Sequence, residues 1–561
     1  MRRSERWTRA AQLCACAAGV ALLAVACGGK SHKSGGGNTT PGTSGSGKTF
    51  ANFRVTWDAP DYMDPALAYK VASWQIFFNV YEGLVTYKHV AGAAGTQLVP
   101  ALAKAMPTVN AAGTQYKITL RPNLKYSNGT PVKASDFRAT IERDFKMNSP
   151  GVGFYSNIVG VGGATGFAKK PKGHIKGIVS NDAARTITIS LVKPQADFLY
   201  VLALPFSSPV PAGTPASDQS AHPPASTGPY MVQSYKANKS FVIVRNPNFN
   251  GQIPTVPKGN PDKLTGQIIT DPVAAAQTVI SGSSDYDQLL LPTDRLSQIE
   301  KKYGKQVKLS PCSCTWYFFM NFRLKPFDSL QARQAVNYAI DRNALVQLFG
   351  GLGQPTQNFL PPNYPQYKKI NVYKYDLAKA KQLVQSSGMA GQSVKVFGIN
   401  EDPSKSIVQY LANQLTKIGY KASVRLVASG PYFTVIGNQS TKAQIGYTDW
   451  LQDYPYPTDW FNILLNGENI TPTHNNNPGD VDVKPLNKVI DRLANQPSSR
   501  ALSSSTNNSW ANLDQQYVVK YSAVAPYVNR TESDFFSKKI DLGCYYFHPV
   551  ANFDYSTICM K

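Results

Sequence analysis

Residues 449–460 read DWLQDYPYPTDW, a stretch in which Asp449, Asp453 and Asp459 alternate with Trp450, Tyr454, Tyr456 and Trp460. A carboxylate walled by aromatic rings in a water-poor cleft makes a strong charge-assisted hydrogen bond to a cation. Left unpaired there, it is costly to bury. The structural alternative is a turn aspartate that hydrogen-bonds its own backbone. A second candidate is Tyr81-Glu82-Gly83-Leu84, where Gly83 permits close approach of another chain. Trp316, Tyr317 and Tyr230 are further aromatic candidates, each equally at home in a core. An anionic group would require Arg or Lys; Arg323 and Arg425 are both available, and the residues do not choose between them.

Catalytic motifs are missing from the inventory. The chain has no GxSxG elbow or HExxH helix. GTSGSGKT (42–49) matches the phosphate-loop pattern, but a Gly/Ser run precedes it and strand-like FRVTW follows, so the strand and helix that make such a loop work are not there. The six histidines, at 32, 89, 174, 222, 474 and 548, form no local chelate, and no metal or cofactor is expected. Seven cysteines stand at 14, 16, 27, 312, 314, 544 and 559. Cys312 and Cys314 sit two apart in a strand-like run, at about 6.6–6.8 Å between Cα atoms, the edge of disulfide reach. Cross-pairing of Cys312 and Cys314 with Cys544 and Cys559 is therefore the favoured expectation. A four-thiolate zinc site is the lesser alternative, since the spacings fit no finger.

The elements that must position these residues alternate between α and β. FRVTW (53–57), QYKITLR (115–121) and RTITISL (185–191) alternate as strands, and Asn128-Gly129 signals a hairpin. SWQIFFNVYEGLVTY (73–87) reads as a helix, a turn at Gly83 and a strand, and DFRATIERDF (136–145) as a helix. Residues 205–229 contain seven prolines and read as loop or linker. QARQAVNYAI follows the apolar i, i+3, i+4, i+7, i+8 rule. YDLAKAKQLVQSSG leads to SVKVFGI, and SIVQYLANQLTKIG leads to YKASVRLV. Helix, glycine and strand, twice over, is the grammar of an open α/β sheet.

The chain is 561 residues long, 42% hydrophobic and 16% charged, which excludes a mostly disordered protein and suggests several domains. Its net charge of +24 suits an anionic membrane surface; no finger, RNP box or basic zipper supports a nucleic-acid partner. MRRSERWTR and the apolar run 10–26 read as an export signal, too short to span a bilayer. LAVAC (23–27) resembles a bacterial lipobox with Cys27 as the lipidated residue, although Ala24 stands where Leu is usual. Residues 28–49, eight of them Gly, form a tether that cannot bury an apolar face. Together these predict an exported body leashed by lipid to the outer face of the cytoplasmic membrane.

NVYEGLVTY (79–87) and LVPALAKAMPTVNAAGTQYKITLRPNLKYSNGTPVKASDF (98–137) resemble family 5 extracellular solute-binding proteins, the oligopeptide-, dipeptide- and nickel-binding lipoproteins of ABC importers. STGPY (226–230), IVRNPNF (243–249), PFDSLQARQAVNYAIDRNAL (326–345), YDLAKAKQLVQSSG (375–388) and WLQDYPYPTDWFNILL (450–465) follow in the family's order. The paired acidic turn usual before TITISL is missing. The resemblance implies an α/β, two-lobed periplasmic-binding-protein-like fold (type II, cluster C-like) with three domains and a hinged cleft. It implies domain I from 50–94, 222–313 and 525–561, domain II from 95–221 and domain III from 314–524. It implies no enzymatic activity, and a monomeric receptor that hands peptides to ABC permease subunits. By the same resemblance Asp453, three after Trp450, anchors a peptide's α-ammonium; Trp450 and Tyr454 wall it; Glu82, Gly83 and Leu84 offer backbone to an extended peptide. Trp316 and Tyr317 fall at the crossing between lobes, and Asp449 and Asp459 are structural. An oligosaccharide or metal-complex receptor of the same fold, and a secreted lipoprotein hydrolase, are the alternatives.

Overall fold

The computed structural model describes residues 49–561. The export signal, Cys27 and all of the tether but Thr49 lie outside the described residues. Twelve strands form one mixed sheet. They are β1 (Phe53–Trp57), β2 (Tyr230–Lys236), β3 (Ser240–Arg245), β4 (Lys263–Ile268), β5 (Tyr286–Asp287) and β6 (Val307–Pro311) in one half. The other half holds β7 (Cys314–Met320), β8 (Gly353–Pro355), β9 (Ser393–Ile399), β10 (Lys421–Val427) and β11 (Ile445–Leu451). β12 (Val524–Phe536) belongs to both. The order is β10-β9-β11-β7-β12-β5-β1-β4-β3-β2, with β6 and β8 also on β12.

β12 makes the two halves into two lobes. Its first part pairs with β7 and β8, from Phe319↔Val524 to Gly353↔Arg530. Its second part pairs with β6 and β5, from Pro311↔Thr531 to Tyr286↔Phe536. The change of partner falls at Arg530/Thr531, opposite the two-residue link between β6 and β7, where the Cys312 backbone N–H donates to the Arg530 carbonyl at 3.0 Å. Pro526 cannot donate to a ladder, and it sits beside a register shift at Trp316/Tyr317, where strands tolerate proline.

In the second lobe the expected helix-and-strand grammar is realised. Asp376 caps α1 (Leu377–Ser386) through the Lys379 N–H at 2.8 Å, and Gly388 takes a left-handed turn with φ 68°. α2 (Ser404–Lys417) joins parallel β9 and β10. Its Ile407, Val408, Leu411 and Leu415 are buried, and Val408 packs so closely on Gly398 that an added Cβ there would lie 2.6 Å from it. A separate four-stranded antiparallel sheet, ordered Thr108–Val109, Gln115–Thr119, Thr186–Ser190, Ile178–Asn181, packs against the helix Ala134–Met147. Asp136 opens that helix by accepting the Lys133 N–H at 2.8 Å.

The favoured cysteine cross-pairing is not what the fold builds. The sulfurs of Cys312 and Cys314 face each other, with Cα atoms 5.3 Å apart, and those of Cys544 and Cys559 do the same at 5.9 Å. The chain leaves strand geometry at Ser313, between β6 and β7, and this bend draws Cys312 and Cys314 closer than a regular strand would. Cys559 is opposite Asp541 in a short antiparallel pair, which brings it to Cys544.

The small sheet is fastened to the first lobe by a buried ion pair. Arg143 donates to both oxygens of Asp64, at 2.9 and 2.5 Å, and also to the carbonyls of Pro215 and Ser217 in the proline-rich segment. Both side chains are buried. Replacing Arg143 with Met strands the Asp64 carboxylate, and unfolding by urea at neutral pH is expected to show a loss of about 3–5 kcal/mol. A loss below 1 kcal/mol would remove this pair from the account of how the sheet is held.

Candidate functional site

A cavity of about 170 Å³ lies where the lobes meet. The end of β11 and the turn after it form one wall, with Tyr447, Asp449, Trp450 and Asp453. The segment entering the helix Val71–Phe77 forms the opposite wall, with Tyr69 and Trp74. β11 delivers its residues there because it lies beside β7, with Trp316 opposite Asp449 and Thr315 opposite Trp450.

Asp453 is held from across the cavity. Its Oδ2 accepts the Tyr69 hydroxyl at 2.6 Å, a bond between residues 384 apart in sequence. Burial pushes the Asp453 carboxyl up to about 7, against the Tyr69 hydrogen bond, which acts downwards. Asp459 supports the turn: its Oδ2 accepts the Asp453 backbone N–H at 3.0 Å and the Trp450 Nε1–H at 3.2 Å. Burial, and then the neighbouring Asp453, raise Asp459 well above the usual carboxylate range. Burial raises Asp449 to about 6, with Arg530 opposing. The turn aspartate is therefore Asp459, while Asp453 reaches out of its own segment.

The other expected site residues are distributed differently. Trp450 lines the cavity. Tyr454 does not: it is buried, and its hydroxyl donates to Asp197 Oδ2 at 2.9 Å, next to a bond from Thr458 to the same oxygen. Its ring stacks on Tyr200 at 6.2 Å, so it joins the small-sheet region to the second lobe. Glu82, Gly83 and Leu84 are buried away from the cavity. The Glu82 N–H donates to Thr227 Oγ1 at 2.9 Å, and the Leu84 carbonyl accepts from Ala101 and Ala103. The close approach that Gly83 permits is that of the Leu202 carbonyl, 2.7 Å from where a Cβ would stand. Burial lifts the Glu82 carboxyl to about 7, with His89 opposing.

Trp316 and Tyr317 are buried in β7, behind the cavity. Trp316 Nε1–H donates to the Tyr447 hydroxyl at 2.6 Å and so touches the lining indirectly; Tyr317 packs edge-on to Phe359 at 4.9 Å. Tyr230 is in the first-lobe core, donating to the Pro261 carbonyl at 2.7 Å. Neither arginine candidate lines the cavity: Arg323 is 3.8 Å from Asp480, and Arg425 lies over the Phe397 ring at 5.1 Å. Sequence reasoning missed Tyr69 and Trp74. Nothing local ties either residue to position 453.

A cavity closed between two lobes, lined by aromatics and an anchored carboxylate, defines a protein that takes up a solute. The chain belongs to the bacterial extracellular solute-binding proteins of family 5, whose middle-region model matches residues 97–472. It is a binding protein and not an enzyme. It is 27% identical to the glutathione-binding protein GsiB of Salmonella paratyphi A over 389 residues, 66% of this chain and 70% of that one. Its fold is similar to that of the clavulanic acid biosynthesis oligopeptide binding protein 2, with TM-score 0.83, 22% identity and coverage of 91% of this chain and 96% of that one. It is similar also to the DppA periplasmic binding protein of Helicobacter pylori in complex with the peptide STSA, with TM-score 0.70, 20% identity and coverage of 91% and 98%. Among the described residues no helix is long and apolar enough to cross a membrane.

The raised Asp453 and Asp449 carboxyls have a sign that can be measured. A folded pKa above the unfolded value of about 3.9 means that between about pH 4 and 7 the native state holds more protons than the unfolded chain. Stability then falls as pH rises through that window. The melting temperature of the ligand-free protein is expected to drop from pH 4.5 to 7, and Asp453→Asn to flatten the drop. An equal slope in the variant would show that Asp453 is not buried as described.

Proposed function

We propose that the protein is the substrate receptor of an ABC importer, capturing di- or oligopeptides between its lobes and presenting them to permease subunits as a monomer. The observation that carries this reading is Asp453, a carboxylate at the lobe seam held by Tyr69 and walled by Trp450 and Trp74. A peptide's α-ammonium would displace or share the Tyr69 contact and let Asp453 ionise. Relatives named for glutathione and for oligopeptides support a peptide ligand. Closure would turn on the crossing at Cys312–Cys314 and Arg530, where β12 changes partners. We further propose lipid anchoring at Cys27, disulfide bonds within the two close cysteine pairs, and the division into 50–94 with 222–313 and 525–561, 95–221, and 314–524. The last of these ends where β12, shared by both lobes, begins.

A ligand that binds the folded state alone raises stability by RT ln(1 + [L]/Kd), about 2.7 kcal/mol at a hundredfold excess over Kd. Peptide pools are expected to raise the melting temperature of the full chain, whereas sugars and metal complexes leave it unchanged. Asp453→Ala is expected to weaken peptide binding by about tenfold or more, read by calorimetry. If no peptide pool moves the transition, the peptide reading is wrong.

A further inference from the structure

The charge on the cavity wall is one-sided. Asp449 and Asp453, four residues apart, both line it. Burial raises both carboxyls, and Arg530 acts on Asp449 through space while itself pairing with Glu532 at 2.7 Å and lying over the Trp316 ring at 4.7 Å. Among the described residues lining the cavity, Lys70 is the one basic side chain. It is already committed, with Nζ 2.6 Å from Asp58 and donating to the Ala59 carbonyl at 2.9 Å. An anionic group entering this cavity would meet two carboxylates and no uncommitted cation.

A smaller hollow of about 50 Å³ opens off the same wall, sharing Val71, Trp74, Gln452 and Asp453 with the cavity. Gln75 and Gln452 line it, and the Oε1 of each is buried without a hydrogen-bond partner. Gln75 is only 4% exposed. Buried acceptors left unpaired are unfavourable, and an N–H donor from a ligand would relieve them. Carboxylates and orphan carbonyl oxygens are all acceptors, and side chains that bring charge and several donors together are the guanidinium and the ammonium.

We propose that the cavity selects cationic peptides: besides the α-ammonium at Asp453, it takes an arginine or lysine side chain whose charge Asp449 meets. The oxygens of Gln75 and Gln452 accept remaining N–H groups of the same ligand. Acidic peptides such as glutathione are disfavoured, because their carboxylates would be desolvated beside Asp449 and Asp453 without a partner. This inference rests on the peptide reading above.

Calorimetry on the full chain with trialanine, with tripeptides carrying Lys, Arg or Glu at the second or third position, and with glutathione separates the possibilities. A Lys or Arg tripeptide is expected to bind about tenfold to a hundredfold more tightly than trialanine, with Glu tripeptides and glutathione weakest. Asp449→Asn is expected to abolish the advantage of the basic peptides over trialanine, and a cooperative thermal transition reports that the variant is folded. Gln75→Leu is expected to weaken basic peptides more than trialanine. Equal binding of basic and neutral tripeptides, or tighter binding of glutathione, overturns this inference and leaves peptide capture standing. Absence of binding by every peptide overturns both.

Discussion

Burying a carboxylate between two lobes is unfavourable whether it is charged or neutral, unless something on the far side supplies a proton donor or a cation. Asp453 stands under that constraint, and the seam is organised around it. Tyr69 supplies a hydroxyl from the opposite lobe, Asp459 holds the turn from behind, and the rings of Trp450 and Trp74 limit access of water. The neutral hydroxyl offsets part of that cost, and on the peptide reading proposed above an ammonium would offset more.

The same logic keeps the lobes in contact elsewhere. Asp197 accepts from Tyr454, Thr458 and Gln195, so its oxygens are used on both sides of the boundary between the small-sheet region and the second lobe. Tyr200 stacks on Tyr454 and on Tyr456, at 6.2 and 5.8 Å. These contacts use polar atoms on aromatic bodies, which can separate into water at less cost than a purely apolar seam of similar area. Strand β12, by contrast, is continuous through both lobes and buried along most of its length. A continuous shared strand with a polar, separable seam is the arrangement expected of two bodies that move about one crossing.

Much of the architecture was legible because it depends on interactions within a few residues. Helix-ending glycines such as Gly388 and the apolar spacing in QARQAVNYAI act within about one helical turn. The cysteine cross-pairing expected of a regular strand fails because the chain bends at Ser313, which brings Cys312 and Cys314 together. Tyr454 reads as a site residue by its position after Trp450 and Asp453, yet its hydroxyl belongs to Asp197, 257 residues away. The Tyr81–Leu84 segment looks like an open edge because glycine allows approach; the approach is made by Leu202.

Taken alone, the sequence determined the α/β grammar, the family likeness and the aromatic-acidic stretch 449–460, since each is written in neighbouring residues and their period. Tertiary structure alone decided which carboxylate faces the cavity, which supports the turn, and which basic residues are already committed. Those outcomes depend on partners such as Tyr69 for Asp453, 384 positions apart, and on the loss of water when the lobes meet. Neither distance nor desolvation has a local signature in the chain.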